Sequence, residues 1–197
     1  LAPSMHGLYL GADGVHSAVC SQCEATDARA IFPCFDEPAF KAALRWTLRT
    51  GPGVIALSNG VLSQHSEAEG EQVFEFAETK PVSSYLAAVV VGDFESEPAD
   101  YVRDVPLKVY APSGKGRQTH FAKDFTSRIL PWFEQYFDFP YPFGKYDQVA
   151  VPGFDAGAME NIGLVLFRQN LLLMEPGTAS WGQEKIIARG IGNEMAN

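Results

Sequence analysis

The chain is 197 residues long, 46% hydrophobic and 20% charged, enough apolar material for one large domain or two modest ones with a buried core. Fifteen basic against twenty-four acidic residues leave a net charge of −9 with no basic run, which argues against nucleic acid as a partner and favours cationic ligands such as peptide amines. No apolar segment reaches the length of a membrane span, and Leu1–Leu10 lacks the basic stretch and apolar block of a secretory signal.

Leu8–Leu10 and Ala18–Ala25 read as strands on either side of a Gly-Ala-Asp-Gly turn at 11–14. Cys20, Cys23 and Cys34 are too few, and odd in number, for a disulfide framework. Cys20 and Cys23 form a C-x-x-C, but a structural zinc needs four ligands and no second pair exists. They are expected as small apolar residues of a strand in a reducing compartment. Asp36-Glu-Pro38 ends a stretch, Ala43–Leu48 alternates as a strand, and Thr50-Gly-Pro-Gly53 turns. Val54–Ser58 follows, then Asn59-Gly60, a dipeptide that between apolar runs predicts a hairpin. Glu71–Ala77 alternates Val73, Phe74 and Phe76 with acids, and Tyr85–Val91 is apolar throughout. Many short strands with no helical period predict an antiparallel β-sandwich.

The charge-rich Asp93–Asp100 stretch marks a boundary, giving expected domains of 1–97 and 98–197. Pro106–Ala111 is one more strand, and Pro112–Gly116 a loop. Phe121, Phe125, Ile129 and Phe133 then fall at successive i+4 positions and predict a helix over 118–137, with the aromatic stripe as core and a kink at Pro131. Val149–Val151 reads as a buried strand, broken by Pro152-Gly153, and a second strand runs from Ile162 to Phe167. Asn170–Met174 and a Pro176-Gly177 turn come next. Ser180 is a fair N-cap, with Gln183 three residues on, for a helix through Glu184, Ile186, Ile187 and Ala188.

Between the two strands lies a small-residue rim, Gly157-Ala158, that ends on a single acid, Glu160. Bare backbone there would let a peptide pair as an added strand, and Glu160 would meet the positive charge at its end. Taken alone, the stretch reads more simply as an ordinary hairpin with a solvent-facing acid.

Gly157-Ala-Met-Glu-Asn161 does not stand alone. Before it come Gln22-Cys-Glu-Ala-Thr-Asp-Ala-Arg29, Phe32-Pro-Cys-Phe-Asp-Glu-Pro38, Tyr136-Phe137, Pro140-Tyr-Pro142 and Lys145-Tyr-Asp147. In this order, from about Gly7 to Ala188, they resemble the zinc metallo-aminopeptidases of the aminopeptidase N and puromycin-sensitive type. The resemblance implies an α+β chain: the C-terminal part of an antiparallel β-sandwich domain, then the start of a thermolysin-like catalytic domain. It implies that the chain begins inside a longer N-terminal portion. Peptides with a free N-terminus would be the partners, zinc the cofactor of the parent enzymes, and the cytoplasm the location. The substrate-binding residues would be Gln22, Glu24, Gly157, Ala158, Met159, Glu160 and Asn161. Glu24 and Glu160 would share one α-ammonium across the domain boundary, each contact worth roughly 1–4 kcal/mol near a hydrated surface.

Cleavage needs more. In such enzymes a helix carries H-E-x-x-H, two imidazoles one turn apart with the Glu as general base. Its expected place follows Ala188, where this chain reads Arg189-Gly-Ile-Gly-Asn193. Arginine is always protonated and cannot ligate zinc. His6, His16, His65 and His120 lie far off in sequence and lack ligand spacing. No catalytic residue and no bound zinc are therefore expected: a fragment with the amine-recognition half of the site, inactive as written. The alternative is a non-catalytic binder of peptide N-termini, or a scaffold of the same fold. A plain β-sandwich interaction module would explain the composition but not the motifs. The codons allow a further reading: the frame one base later must encode Trp across Met195-Ala196 and permits Glu, Leu and Ala across 190–192, but recovers neither histidine.

Overall fold

Among the described residues up to Gly92 there are seven strands. In order they are β1 (Gly7–Ala12), β2 (Ser17–Gln22), β3 (Thr47–Thr50), β4 (Ile55–Ser58), β5 (Leu62–Ala68), β6 (Glu71–Phe76) and β7 (Val89–Gly92). The computed structural model describes residues 5–178 and 180–197. The strands pair antiparallel in two sheets, ordered β1-β2-β7-β4 and β3-β6-β5. Phe74 and Phe76 of β6 bury against Ala56 of β4, with Trp46, Leu48 and Val91 packed around them. Two sheets joined through their inward-facing residues make the expected sandwich.

Several details differ from the sequence reading. Asn59-Gly60 is not a hairpin turn, because β4 pairs with β7 and β5 pairs with β6. The hairpin turn is Glu69-Gly70, between β5 and β6, with φ of 54° and 81° as a two-residue loop requires. Gly60 answers a different demand: a Cβ there would overlap the backbone carbonyl of Ala77. β5 escaped notice because all seven of its residues are exposed, so no face selects apolar side chains. The strand expected over 43–48 lies at Thr47–Thr50, and β2 ends at Gln22 rather than Ala25. The apolar run from Tyr85 splits into a 3₁₀ turn, Ser84–Leu86, and β7. Cys20 and Cys23 are free, fully buried thiols, and burial pushes them up to about 11 and about 12.

The remaining elements are β8 (Phe94–Ser96), β9 (Asp100–Val102), β10 (Val105–Pro112), α1 (His120–Phe137), β11 (Tyr146–Val151), β12 (Ala158–Met159), β13 (Leu164–Arg168) and α2 (Trp181–Ala196). Their sheet runs β12-β13-β11-β10-β8, with β9 also on β10. β10 and β11 are parallel, and α1 is the crossover between them. Every residue of β11 is buried: Val149–Val151 are apolar, while the polar Asp147 and Gln148 are paired with Lys145 and Thr126. Its core joins Leu107, Val109, Ala150, Val165 and Phe167 to Ile187 and Ile191 of α2.

α1 follows a 3₁₀ turn, Gly116–Thr119, and runs through Pro131 as one helix. Its fully buried positions are Ala122, Thr126, Leu130 and Glu134, one residue on from the aromatic stripe. Phe121, Phe125 and Ile129 pack against the core but are only partly buried. From the fully buried face Thr126 donates to Gln148 of β11 at 3.1 Å, and Phe121, Phe125 and Ile129 flank that face. Ser180 caps α2, its hydroxyl accepting from Gln183 N at 3.2 Å. Two units result: the chain up to Asp93 with Asn161–Leu164, and Phe94–Glu160 with Val165–Asn197. Phe94–Ser96 pair with β10 and so belong to the second. Among the described residues no helix is long and apolar enough to cross a membrane.

Candidate functional site

In the second unit, β12 is a two-residue strand at the sheet edge, with Ala158 opposite Phe167 and Met159 opposite Leu166 of β13. Arg168 N donates to the Gly157 carbonyl at 2.9 Å, and the Arg168 guanidinium donates to the carbonyls of Phe154 and Asp155. One side chain thus secures the loop entering β12. Met159 is buried, Gly157 exposed and Ala158 half-buried, so the rim is backbone with little side chain over it. Such an edge can accept a further strand. Glu160, half-buried, directly follows the strand and makes no hydrogen bond or ion pair among the described residues.

In the first unit, Gln22 closes β2 and is buried, while Glu24 is exposed in the turn that follows. Glu24 also makes no hydrogen bond or ion pair among the described residues. Its surroundings are firmly held. Ser21 Oγ accepts from Val89 N at 3.0 Å, and Asp27 N donates to the Cys23 carbonyl at 2.8 Å. Asn161, buried, begins the short segment that belongs to this unit. The seven expected site residues therefore divide between the units: Gln22, Glu24 and Asn161 in the first, Gly157–Glu160 in the second.

Two residues with organising roles went unrecognised in the sequence. Asp36, 3% exposed, accepts from the Arg29 backbone N, from Arg29 Nε and from the Ser84 hydroxyl. Asn59, read as a turn residue, is a buried amide bonded to three backbone groups. A cavity of about 610 Å³ in the first unit, lined by Phe32, Leu44 and Trp46 among others, includes none of the expected site residues.

α2 runs unbroken through Arg189-Gly-Ile-Gly-Asn193. Ile187 and Ile191 are buried, which leaves Arg189 and Asn193 exposed one turn apart on the opposite side. Neither a guanidinium nor a carboxamide pair makes a zinc donor set, and among the described residues no three His, Cys, Asp or Glu side chains are grouped as metal ligands would be. His6, His16 and His120 each approach a different carboxylate, of Asp27, Asp13 and Glu97, and His65 stacks on Phe74. These residues do not fit a zinc ion.

The chain matches two family models: the Peptidase M1 N-terminal domain over residues 1–86 and the Peptidase family M1 domain over residues 121–197. It is 39% identical to a puromycin-sensitive aminopeptidase of Caenorhabditis elegans over 179 residues, which is 90% of this chain and 19% of that protein. It is 40% identical to endoplasmic reticulum aminopeptidase 2 of Homo sapiens over 175 residues, 88% of this chain and 18% of that one. To aminopeptidase N of Canis lupus familiaris it is 37% identical over 207 residues, 100% of this chain and 21% of the relative. The chain thus spans about a fifth of the length of these relatives. With its antiparallel sandwich followed by the start of a catalytic domain, the chain belongs to peptidase family M1.

Proposed function

We propose that this chain is part of an aminopeptidase that removes N-terminal residues from peptides, and that it carries the amine-recognition portion of the site. The observation that carries the reading is Glu160: a carboxylate with no partner among the described residues, directly after a two-residue edge strand. A peptide laid beside β12 as an added strand would bring its free α-ammonium to that carboxylate. Glu24, which makes no hydrogen bond or ion pair among the described residues, is proposed as a second amine-binding acid, and Gln22, Gly157, Ala158, Met159 and Asn161 as further substrate-binding residues. The sandwich domain is proposed to end, and the catalytic domain to begin, within residues 93–100, with Phe94–Ser96 on the catalytic side because they pair with β10. A reducing, cytoplasmic setting accords with three free cysteines.

Zinc, the cofactor implied by the family resemblance, would polarise the scissile carbonyl and activate water in the parent enzymes. The residues of α2 do not hold it, and Gly190 supplies no general base, a role worth roughly 10²–10⁴-fold in rate. The chain as written is therefore proposed to bind peptide amines, at millimolar affinity at best, and to hydrolyse none. Unbroken α2 with Arg189, Gly190 and Asn193 favours one second reading, a non-catalytic binder of peptide N-termini. The coding DNA after Ala188 separates the two, since a frame restoring H-E-x-x-H supports the enzyme.

The test is titration with L-leucinamide and its N-acetyl derivative, followed by NMR. Wild type should bind the free amine and ignore the acetylated form, and Glu24→Gln and Glu160→Gln should each weaken binding at least threefold. Equal response to both compounds defeats the reading.

A further inference from the structure

Asn59-Gly60 carries the strongest turn signal in the sequence, yet it joins two strands that do not pair with each other. What the asparagine does instead is visible in its amide. Asn59 is 4% exposed. Its Nδ2 donates to the carbonyls of Leu86 and Ile162, both at 2.9 Å, and its Oδ1 accepts from Ala88 N at 2.8 Å. Both donors and the acceptor are used, each on backbone. Leu86 and Ala88 bracket the entry to β7, a neighbour of β4 in the same sheet, so those two bonds are local to the sandwich. The third reaches 103 residues along the chain.

Ile162 sits in a tight turn. Leu164 N donates to the Asn161 carbonyl at 3.2 Å, and Gly163 takes the positive φ, 69°, at the third position. That turn leaves the Ile162 carbonyl outside the turn's own hydrogen bond and free to accept from elsewhere. Asn59 supplies the donor. Asn161–Leu164 is the one stretch beyond Asp93 that belongs to the first unit, and Glu160 is the residue immediately before it.

We propose that Asn59 is a positioning residue for the amine site: its bond to the Ile162 carbonyl anchors the 161–164 turn and thereby sets where the Glu160 carboxylate is presented. The positioning claim rests on the amine-site reading above. The anchor itself rests on geometry alone. A mobile turn would let Glu160 sample several places, and an ammonium ligand would have to order it at the cost of affinity. Held by a fully satisfied buried amide, the turn is fixed before the ligand arrives, and with it the backbone next to which Glu160 stands. Only Asn combines two donors with one acceptor at this reach, because Asp keeps the acceptor and loses both donors.

The experiment compares wild type with Asn59→Asp by hydrogen–deuterium exchange, read peptide by peptide, and by titration with L-leucinamide. Exchange over residues 160–165 should accelerate at least tenfold and leucinamide affinity should fall at least threefold, while β1 and β2 exchange as in wild type. Unchanged exchange over 160–165 overturns the proposal. Faster exchange with unchanged affinity shows a structural bond and nothing more, and overturns it too. A wild-type chain that ignores leucinamide defeats the amine-site reading, and the positioning claim with it, whereas exchange still decides the anchor. If Asn59→Asp opens β1 and β2 as well, Asn59→Ser, with a single hydroxyl donor, is judged by the same criteria.

Discussion

The Ser84 hydroxyl donates to Asp36 Oδ1 at 2.6 Å across 48 residues of sequence, while Arg29 occupies the other oxygen of the same carboxylate. This knot ties the segment after β2 to the approach to β7. Burial pushes the Asp36 pKa up, but the bonds from Ser84 and Arg29 outweigh it and hold the carboxyl below its ordinary value. An acid depressed in the folded state contributes stability that is fully present above its unfolded pKa, about 3.9, and is lost as pH falls through the lower folded value. The sandwich should therefore weaken below about pH 4. Asp36→Asn should flatten that part of the curve while lowering stability at pH 7. Thermal melts of both proteins from pH 7 down to the acid limit of solubility check this; parallel curves for the two would contradict it.

Gly190 and Gly192 lie inside α2, and neither is needed there for space. A Cβ at 192 would meet nothing within 4 Å, and one at 190 would rest 3.9 Å from the Phe167 ring, an ordinary contact. Gly190→Ala and Gly192→Ala should each stabilise the chain by about 0.5–1 kcal/mol, through reduced backbone freedom of the unfolded state. Denaturant melts give the sign directly.

Arg189 and Asn193 stand one turn apart and exposed on α2, the spacing at which two imidazoles share a metal. Purified wild type should carry well under one zinc per chain and release no product from an aminoacyl-anilide with zinc added. Arg189→His combined with Asn193→His should bind zinc measurably, yet still hydrolyse nothing, since Gly190 provides no base. One tightly held zinc in wild type, with turnover lost to a chelator, would place the metal elsewhere.

Cys34 is the one free cysteine not fully buried. Cys20 and Cys23 combine full burial with values of about 11 and about 12, so their thiolate fraction at pH 7.5 is below about one in a thousand. Brief iodoacetamide treatment should modify Cys34 alone, and all three only in denaturant. Peptide mass mapping that finds Cys20 alkylated in the native chain would contradict the buried strand.

The two kinds of strand show where sequence reading succeeds. The buried polar Asp147 and Gln148 hid the first half of β11, whereas β6 and the second half of β11, Val149–Val151, were legible because burial selects apolar side chains there. β5 was not, because an exposed strand is fixed by its partner's backbone and leaves no mark on its own residues. The capping of α2 by Ser180 was legible for the same local reason: donor and acceptor lie three residues apart.

Residue types and their order along the chain determined the family, the sandwich, the small-residue rim before Glu160, and the missing zinc ligands of α2; that the rim pairs as an edge strand came from the structure. Tertiary structure alone decided what Asn59 does. Asn-Gly is locally a turn, and nothing near it announces Ile162, because a hydrogen bond spanning 103 residues depends on where two distant backbones are brought, not on the residues beside either one. The same holds for Asp36 and Ser84, whose pairing no local pattern encodes. Local chemistry is written in neighbouring residues, whereas long-range bonds to backbone leave only one side chain as their trace.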